Sequence, residues 1–267
     1  MTGGPELAIP NDIHEGDCIE LLKTLPDGCA QLIIADPPYN LGPRFGVAKE
    51  WMRDPRWLNW CEEWLRECQR VLTDDGNLFV YGIHHYLCLI HVRLYEMGMT
   101  YRRQIIWHYE NGFTTYRRNL ATHYEPILWF SKSDDSYFRE IREPYKSTDR
   151  LRHKITKNGK VWTPHPDGRL AGDVWMFPTL AGRRFRDEKV DHPTQKPLSL
   201  THRIVGHFSA PSALVVVPFG GSGTECVSAI QQGRRFWAAE IKPEYVELAR
   251  SRVEAALAEP VLPLESA

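Results

Sequence analysis

The sequence predicts an α/β fold: an open, mainly parallel sheet covered by helices on both faces. Three observations carry this. Short apolar runs end at loops, helical patterns lie between them, and a glycine-rich turn joins one such run to one such helix. The 267 residues suffice for one large α/β domain, or one such domain with an insertion, and can bury a core without staples.

The strand candidates are Gln31–Ala35, Asn77–Tyr81, Gln104–Trp107, Pro126–Phe130, Ala213–Val217 and Phe236–Ala239. The spacing predicts a helix over Trp57–Leu72, where Trp57, Trp60, Cys61, Trp64, Leu65, Cys68 and Leu72 fall on one stripe. Tyr86–Met97, Leu198–Phe208, Thr224–Gln232 and Pro243–Leu257 read likewise, and Pro243 suits a first helical turn. In such a sheet the ligand crevice lies at the carboxyl ends of the strands.

Residues 133–190 break this rhythm. They contain TKNGK, TPHPDGR and LAGRR, all rich in turn formers, with Trp162, Trp175, Phe177 and Phe185 among basic residues. The chain therefore divides into 1–132, an inserted module or set of long loops over 133–190, and 191–267. The tail Glu259–Ala267 is broken by proline and is expected to fray.

Net charge is −1, which by itself announces no polyanionic partner. Between Arg139 and Lys189, however, there are 13 Lys and Arg against 7 Asp and Glu. That basic middle reads either as a face that meets phosphates or as a solvated surface insertion. The six cysteines include no CxxC pair and read as reduced thiols. The first residues lack the basic and apolar regions of a signal peptide, and no apolar run approaches the ~20 residues of a membrane span. The expected location is cytoplasmic. No histidine spacing of the HExxH kind occurs, and no metal site is assigned.

The sharpest chemical signal is Asp36-Pro37-Pro38-Tyr39, directly after the apolar run Leu32–Ala35. Consecutive prolines lack N–H groups and cannot continue a ladder, so they hold the chain stiffly extended at the strand's mouth. The Asp36 carboxylate and the Pro37 carbonyl are then left to accept from an amino group, and Tyr39 offers a ring on which a flat base can stack. The alternative is a rigid strand-to-loop corner.

A second signal is Pro218-Phe219-Gly220-Gly221-Ser222-Gly223-Thr224, between a strand and a helix. Glycines allow a tight turn and close approach to a ligand, though a plain turn has the same composition. Glu240, ending the next strand, can accept from ribose hydroxyls or can serve as a favourable charge at a helix start. A third is His192-Pro193-Thr194-Gln195-Lys196-Pro197, leading into an apolar helix; alone it is also a polar loop with Pro197 at a helix start.

Taken together and in this order, the three segments resemble the amino-methyltransferases of DNA, from about Ile13 to Leu257. The catalytic motif comes first and the cofactor loop last, which is the permuted order of that family's beta class. The resemblance implies a Rossmann-like S-adenosylmethionine-dependent methyltransferase fold with a mainly parallel seven-stranded sheet and a small inserted recognition region. It implies catalytic roles for Asp36, Pro37, Pro38 and Tyr39. Cofactor contacts are implied for Asp17, Cys18, Asp36, His192, Thr194, Gln195, Lys196, residues Pro218 to Thr224, and Glu240. Gly16-Asp17-Cys18 resembles the turn at the cofactor adenine, with Asp17 accepting from its amino group. Ile106-Trp107 and Asn119–Trp129 resemble strands that wall the target-base pocket.

The implied reaction is methylation of adenine N6 in duplex DNA, by base flipping and in-line transfer. Asp at the head of the motif leans toward adenine. A cytosine-N4 enzyme, an enzyme acting on RNA or a protein amide, and a catalytically silent DNA-binding subunit stay open. Two positions depart from the family pattern: Val217 stands where Asp is usual before the loop, and Lys242 where an acidic residue is usual. The first removes a carboxylate expected near the methionine end of the cofactor, and whether its binding is weakened stays open. Arg102, Arg103, Arg117, Arg118, Arg183, Arg184 and Arg186 are the candidates for DNA contact. The resemblance also implies a homodimer in many cases, and a restriction endonuclease is an open partner.

Overall fold

A computed structural model describes residues 9–39, 55–112, 118 and 120–258 of the protein. In chain order the elements are β1 (Asp12–Glu15), α1 (Cys18–Leu22), β2 (Ala30–Ala35), α2 (Pro55–Val71), β3 (Leu72–Tyr81), α3 (Leu87–Glu96), β4 (Thr100–His108) and β5 (Tyr124–Ser131). Then follow β6 (Arg142–Glu143), β7 (Ile155–Lys157), β8 (Lys160–Trp162), β9 (Arg169–Leu170), β10 (Val174–Met176), α4 (Leu198–Phe208), β11 (Leu214–Val217), α5 (Thr224–Gln231), β12 (Arg235–Glu240) and α6 (Pro243–Leu257).

The main sheet has eight strands in the order β1-β12-β11-β2-β3-β5-β4-β10. Only β5 runs against its neighbours β3 and β4; every other pairing is parallel. The expected seven strands become eight because β10, from within residues 133–190, pairs with the edge of β4. Val174–Met176 are thus tied into the sheet. Residues 133–190 also carry two small antiparallel pairs, β6 with β9 and β7 with β8. The β7–β8 turn is Asn158-Gly159, both at positive φ (52° and 72°), as a two-residue hairpin of the tight mirror-image type requires.

Alternation along the central strands sorts the core into two layers. Leu32, Ile34, Phe79, Tyr81, Val215 and Val217 point to one face, where α4, α5 and α6 cover them. Ile33, Ala35, Leu78, Val80, Leu214 and Val216 point to the other, under α1, α2 and α3. Strands buried on both faces read as continuous apolar runs, which is why Leu32–Ala35 and Leu214–Val217 stand out in the sequence. Most of the α2 stripe lies where its spacing predicts, with Trp57, Cys61, Trp64, Leu65 and Cys68 buried; Trp60 is partly buried, Val71 joins the stripe, and Leu72 starts β3 rather than ending the helix. Arg117, Asn119 and the tail Glu259–Ala267 lie outside the described residues. Among the described residues no helix is long and apolar enough to cross a membrane.

Candidate active site

The carboxyl ends of β1, β2, β11 and β12 open on one cavity of about 530 Å³. Small-molecule sites fall in roughly the 300–1,000 Å³ range. Gly16, Asp17 and Cys18 line it from β1; Asp36 to Tyr39 from β2; Pro218, Phe219 and Gly221 from β11; Ala239 to Lys242 from β12. His192, Pro193 and Thr194 close another side, with Trp60 of α2 and Tyr245 of α6. Asp17 also caps α1, accepting from the amides of Ile19 (2.9 Å) and Glu20 (3.3 Å). Burial pushes the Cys18 thiol up to about 12, so it stays neutral.

The glycine loop is held by close packing. A Cβ on Gly220 would meet the Ala239 carbonyl at 3.2 Å, and one on Gly221 would meet His192 Nε2 at 3.1 Å. Gly221, at φ +49°, donates its amide to Glu240 Oε2 at 2.7 Å, and Lys242 donates its amide to Glu240 Oε1 at 2.9 Å. Ser222, Gly223 and Thr224 turn away from the cavity to start α5. The Ser222 carbonyl and the Thr224 hydroxyl accept from Arg252 at 2.6 and 2.9 Å. Val217 is buried among the core residues under α4 to α6 and does not line the cavity. Lys242, the other departure, does line it.

Beside the cavity sits a buried polar cluster. Tyr39 donates its hydroxyl to Asp36 Oδ1 at 2.5 Å. Lys196, 4% exposed, donates to Asp36 Oδ2 at 2.6 Å and to the Tyr39 hydroxyl at 2.9 Å. Its Nζ lies 3.9 Å from Glu125 Oε2. Burial works against the Lys196 ammonium, but the Asp36 and Glu125 carboxylates outweigh it and hold its pKa above the usual lysine range. Burial, then Asp36 and Glu125, keep the Tyr39 phenol protonated well above its usual range. Burial raises the Glu125 carboxyl, with Lys196 opposing it.

The HPTQKP segment thus divides its work. His192 and Thr194 face the cavity, whereas Gln195 ties its own loop, accepting from the Val190 amide at 2.8 Å and donating to the Glu188 carbonyl at 2.9 Å. Lys196 faces Asp36 and Tyr39. Glu125, the lone acid in the apolar run of β5, and Trp60, Ile241 and Tyr245 are site residues that motif spacing alone does not single out.

A family model described as DNA methylase, for the N6 and N4 methyltransferases, matches residues 30–251. The chain belongs to this DNA methylase family. The type II methyltransferase M1.MboII of Moraxella bovis is 34% identical over 251 residues, covering 90% of this chain and 95% of its own. The DNA adenine methyltransferase YhdJ of Escherichia coli is 32% identical over 249 residues, covering 91% and 83%. Among solved structures, the PvuII cytosine-N4-specific DNA methyltransferase has the same fold at a TM-score of 0.68 and 16% identity, covering 96% of this chain and 89% of that one. The M1.HpyAVI–SAM complex matches at 0.61 and 22%, covering 91% and 98%.

On this methylase the expected DNA-facing arginines separate into two groups. Arg102 and Arg103 lie near the amino-terminal end of β4, roughly 17 Å along the strand from its crevice end at His108. Arg102 is engaged there, stacked 5.5 Å over the Trp129 ring and donating to the Asp134 carbonyl at 3.0 Å. Arg118, Arg183, Arg184 and Arg186 are exposed, with Arg183 to Arg186 following the crevice end of β10. The β7–β8 hairpin adds a surface that the arginine pairs do not include. Its strands are exposed throughout, with Lys157 opposite Lys160 and Ile155 opposite Trp162. Among the described residues no group of three or more His, Cys, Asp or Glu side chains could hold a metal ion.

Proposed function

We propose that the chain transfers a methyl group from S-adenosylmethionine to the exocyclic N6 amino group of adenine in duplex DNA. One observation carries the reading. Asp36 lies between the cavity of the glycine loop and the buried Tyr39–Lys196–Glu125 cluster, so a carboxylate fixed for amino recognition adjoins a cofactor-sized space. That space suits the cofactor: Gly221 leaves its backbone open at the wall and has little room for a Cβ beside His192, Phe219 and Trp60 supply apolar wall, and Glu240 and Asp36 supply negative charge. S-adenosylmethionine, when bound, supplies an electrophilic methyl group on a sulfonium.

The chain's own residues then position and stabilise. A flipped adenine stacks on Tyr39. Its amino N–H groups donate to Asp36 and to the Pro37 carbonyl, so electron density rises on nitrogen as it attacks in line. The fixed carboxylate offsets the positive charge that nitrogen acquires. The exposed, basic β7–β8 ribbon and the arginines after β10 are the surfaces we assign to duplex contact. A two-stranded ribbon is of a size to enter a major groove. Adenine is favoured over cytosine by Asp rather than Ser at position 36 and by the resemblance to YhdJ. Expression in a bacterial host devoid of adenine methylation, followed by nucleoside analysis of its DNA, tests the assignment. N6-methyladenine is the expected product, and N4-methylcytosine would overturn the choice of base.

A further inference from the structure

We infer that Lys196 is a positioning residue of the methyl-acceptor site, whose ammonium occupies on Asp36 the hydrogen-bonding position that the target amino group takes over. This rests on the reading of Asp36 as acceptor of that amino group. The Lys196 donors are all directed at the catalytic motif and its own loop: Asp36 Oδ2 at 2.6 Å, the Tyr39 hydroxyl at 2.9 Å and the Thr194 carbonyl at 3.3 Å. The ammonium lies over the Tyr39 and Tyr81 rings, 5.3 and 5.0 Å from their centres, and Lys196 does not line the cofactor cavity. With Tyr39 on Oδ1 and Lys196 on Oδ2, both Asp36 oxygens already hold a donor.

An ammonium at that position opposes the reaction while it stays. It neutralises the carboxylate that should offset the charge growing on the amino nitrogen, and it repels that charge directly. On this inference the base binds productively as Lys196 gives up its place on Asp36 Oδ2. We take Glu225 as the second station. Glu225, at the start of α5, is 6% exposed, and its Oε1 has no hydrogen-bond partner. Burial, then the Asp36 charge, push its carboxyl up to about 7, and Lys196 is among the cations that oppose this. A lysine stem is flexible enough to swing between anions, and the move would give the Glu225 oxygen its missing donor. The exchange breaks no covalent bond. It also selects: a base with a carbonyl at that position cannot donate to Asp36 and so cannot replace Lys196.

The test uses the full chain and the site mapped from wild-type product DNA. Duplexes carrying adenine, or purine without the amino group, at the target are compared in Lys196→Met and wild type. In wild type the amino group takes the place of Lys196 on Oδ2; in the variant Oδ2 is unoccupied and Oδ1 keeps Tyr39. The adenine-over-purine binding preference should rise about tenfold in Lys196→Met, the order expected for one charge-assisted hydrogen bond. S-adenosylhomocysteine affinity, measured by calorimetry, confirms that the variant is folded. Glu225→Gln leaves the Lys196–Asp36 pair and removes the second anion, so KM for DNA should rise about fivefold with cofactor affinity unchanged. An unchanged preference in Lys196→Met, or in its place an unchanged KM in Glu225→Gln, overturns the inference while wild type still transfers methyl groups. Absence of transfer by wild type overturns the underlying reading instead.

Discussion

The Gly221 amide donates a 2.7 Å hydrogen bond to Glu240 Oε2, so the loop after β11 and the end of β12 act as one unit. The second Glu240 oxygen holds the Lys242 amide at 2.9 Å. Removing this carboxylate in Glu240→Ala orphans two amides at the cavity wall. Hydrogen bonds to a charged group contribute about 1.5–3 kcal/mol each, so affinity for S-adenosylmethionine should fall by about 10- to 100-fold. Isothermal calorimetry on the two proteins measures this directly.

Val217 invites the opposite substitution. The family pattern places Asp there, yet in this chain the side chain is 1% exposed within the apolar layer that holds Leu32, Ile34 and Cys226. A carboxylate introduced by Val217→Asp would be buried in that layer. We expect a loss of several kcal/mol in stability, seen as a lower Tm, and no gain in cofactor affinity.

His192 gives the fold a pH dependence of known sign. Burial depresses its pKa from 6.5 to about 4, Lys196, Lys242 and Arg252 adding to the depression and Asp36 opposing it. The unfolded chain therefore takes up the proton first as pH falls. Stability contributed by neutral His192 is full above pH 6.5 and is lost between about pH 6.5 and 4, up to roughly 3 kcal/mol. Glu225, raised to about 7, acts in the reverse sense as pH rises from 4.5 to 7. The comparison must therefore be of wild type with His192→Gln, whose urea midpoint should decline less on the acid side, His202 and His207 being held low by burial as well.

The β7–β8 hairpin supplies a test of duplex contact. Replacing Lys157 and Lys160 with alanine should weaken DNA binding evenly across sequences and lower the salt slope of log K by about 2, with cofactor affinity unchanged. Fluorescence anisotropy over a salt series measures it.

Much of this fold is legible in the sequence because its central strands are buried on both faces. The apolar runs at Leu32–Ala35 and Ala213–Val217 and the α2 stripe each announce themselves. β1, with the sequence Asp-Ile-His-Glu, carries only one buried side chain, and β10 is three residues within a turn-rich stretch, so neither has a pattern to read. The site was legible as three segments, but which way each side chain turns was not. Lys196 and Gln195 are adjacent, yet one meets Asp36 and the other ties its own loop. Arg102 illustrates the same limit: its stacking on Trp129 depends on the pairing of β4 with β5, which no local signal encodes.

The most direct test is methyl transfer by the purified protein from radiolabelled S-adenosylmethionine to unmethylated duplex DNA of mixed sequence, with Asp36→Ala in parallel. Label should appear in N6-methyladenine, and Asp36→Ala should lose about 100-fold or more in rate while it still binds cofactor. A wild-type protein that binds cofactor and leaves DNA unlabelled, or an Asp36→Ala variant that transfers at the wild-type rate, would contradict the account.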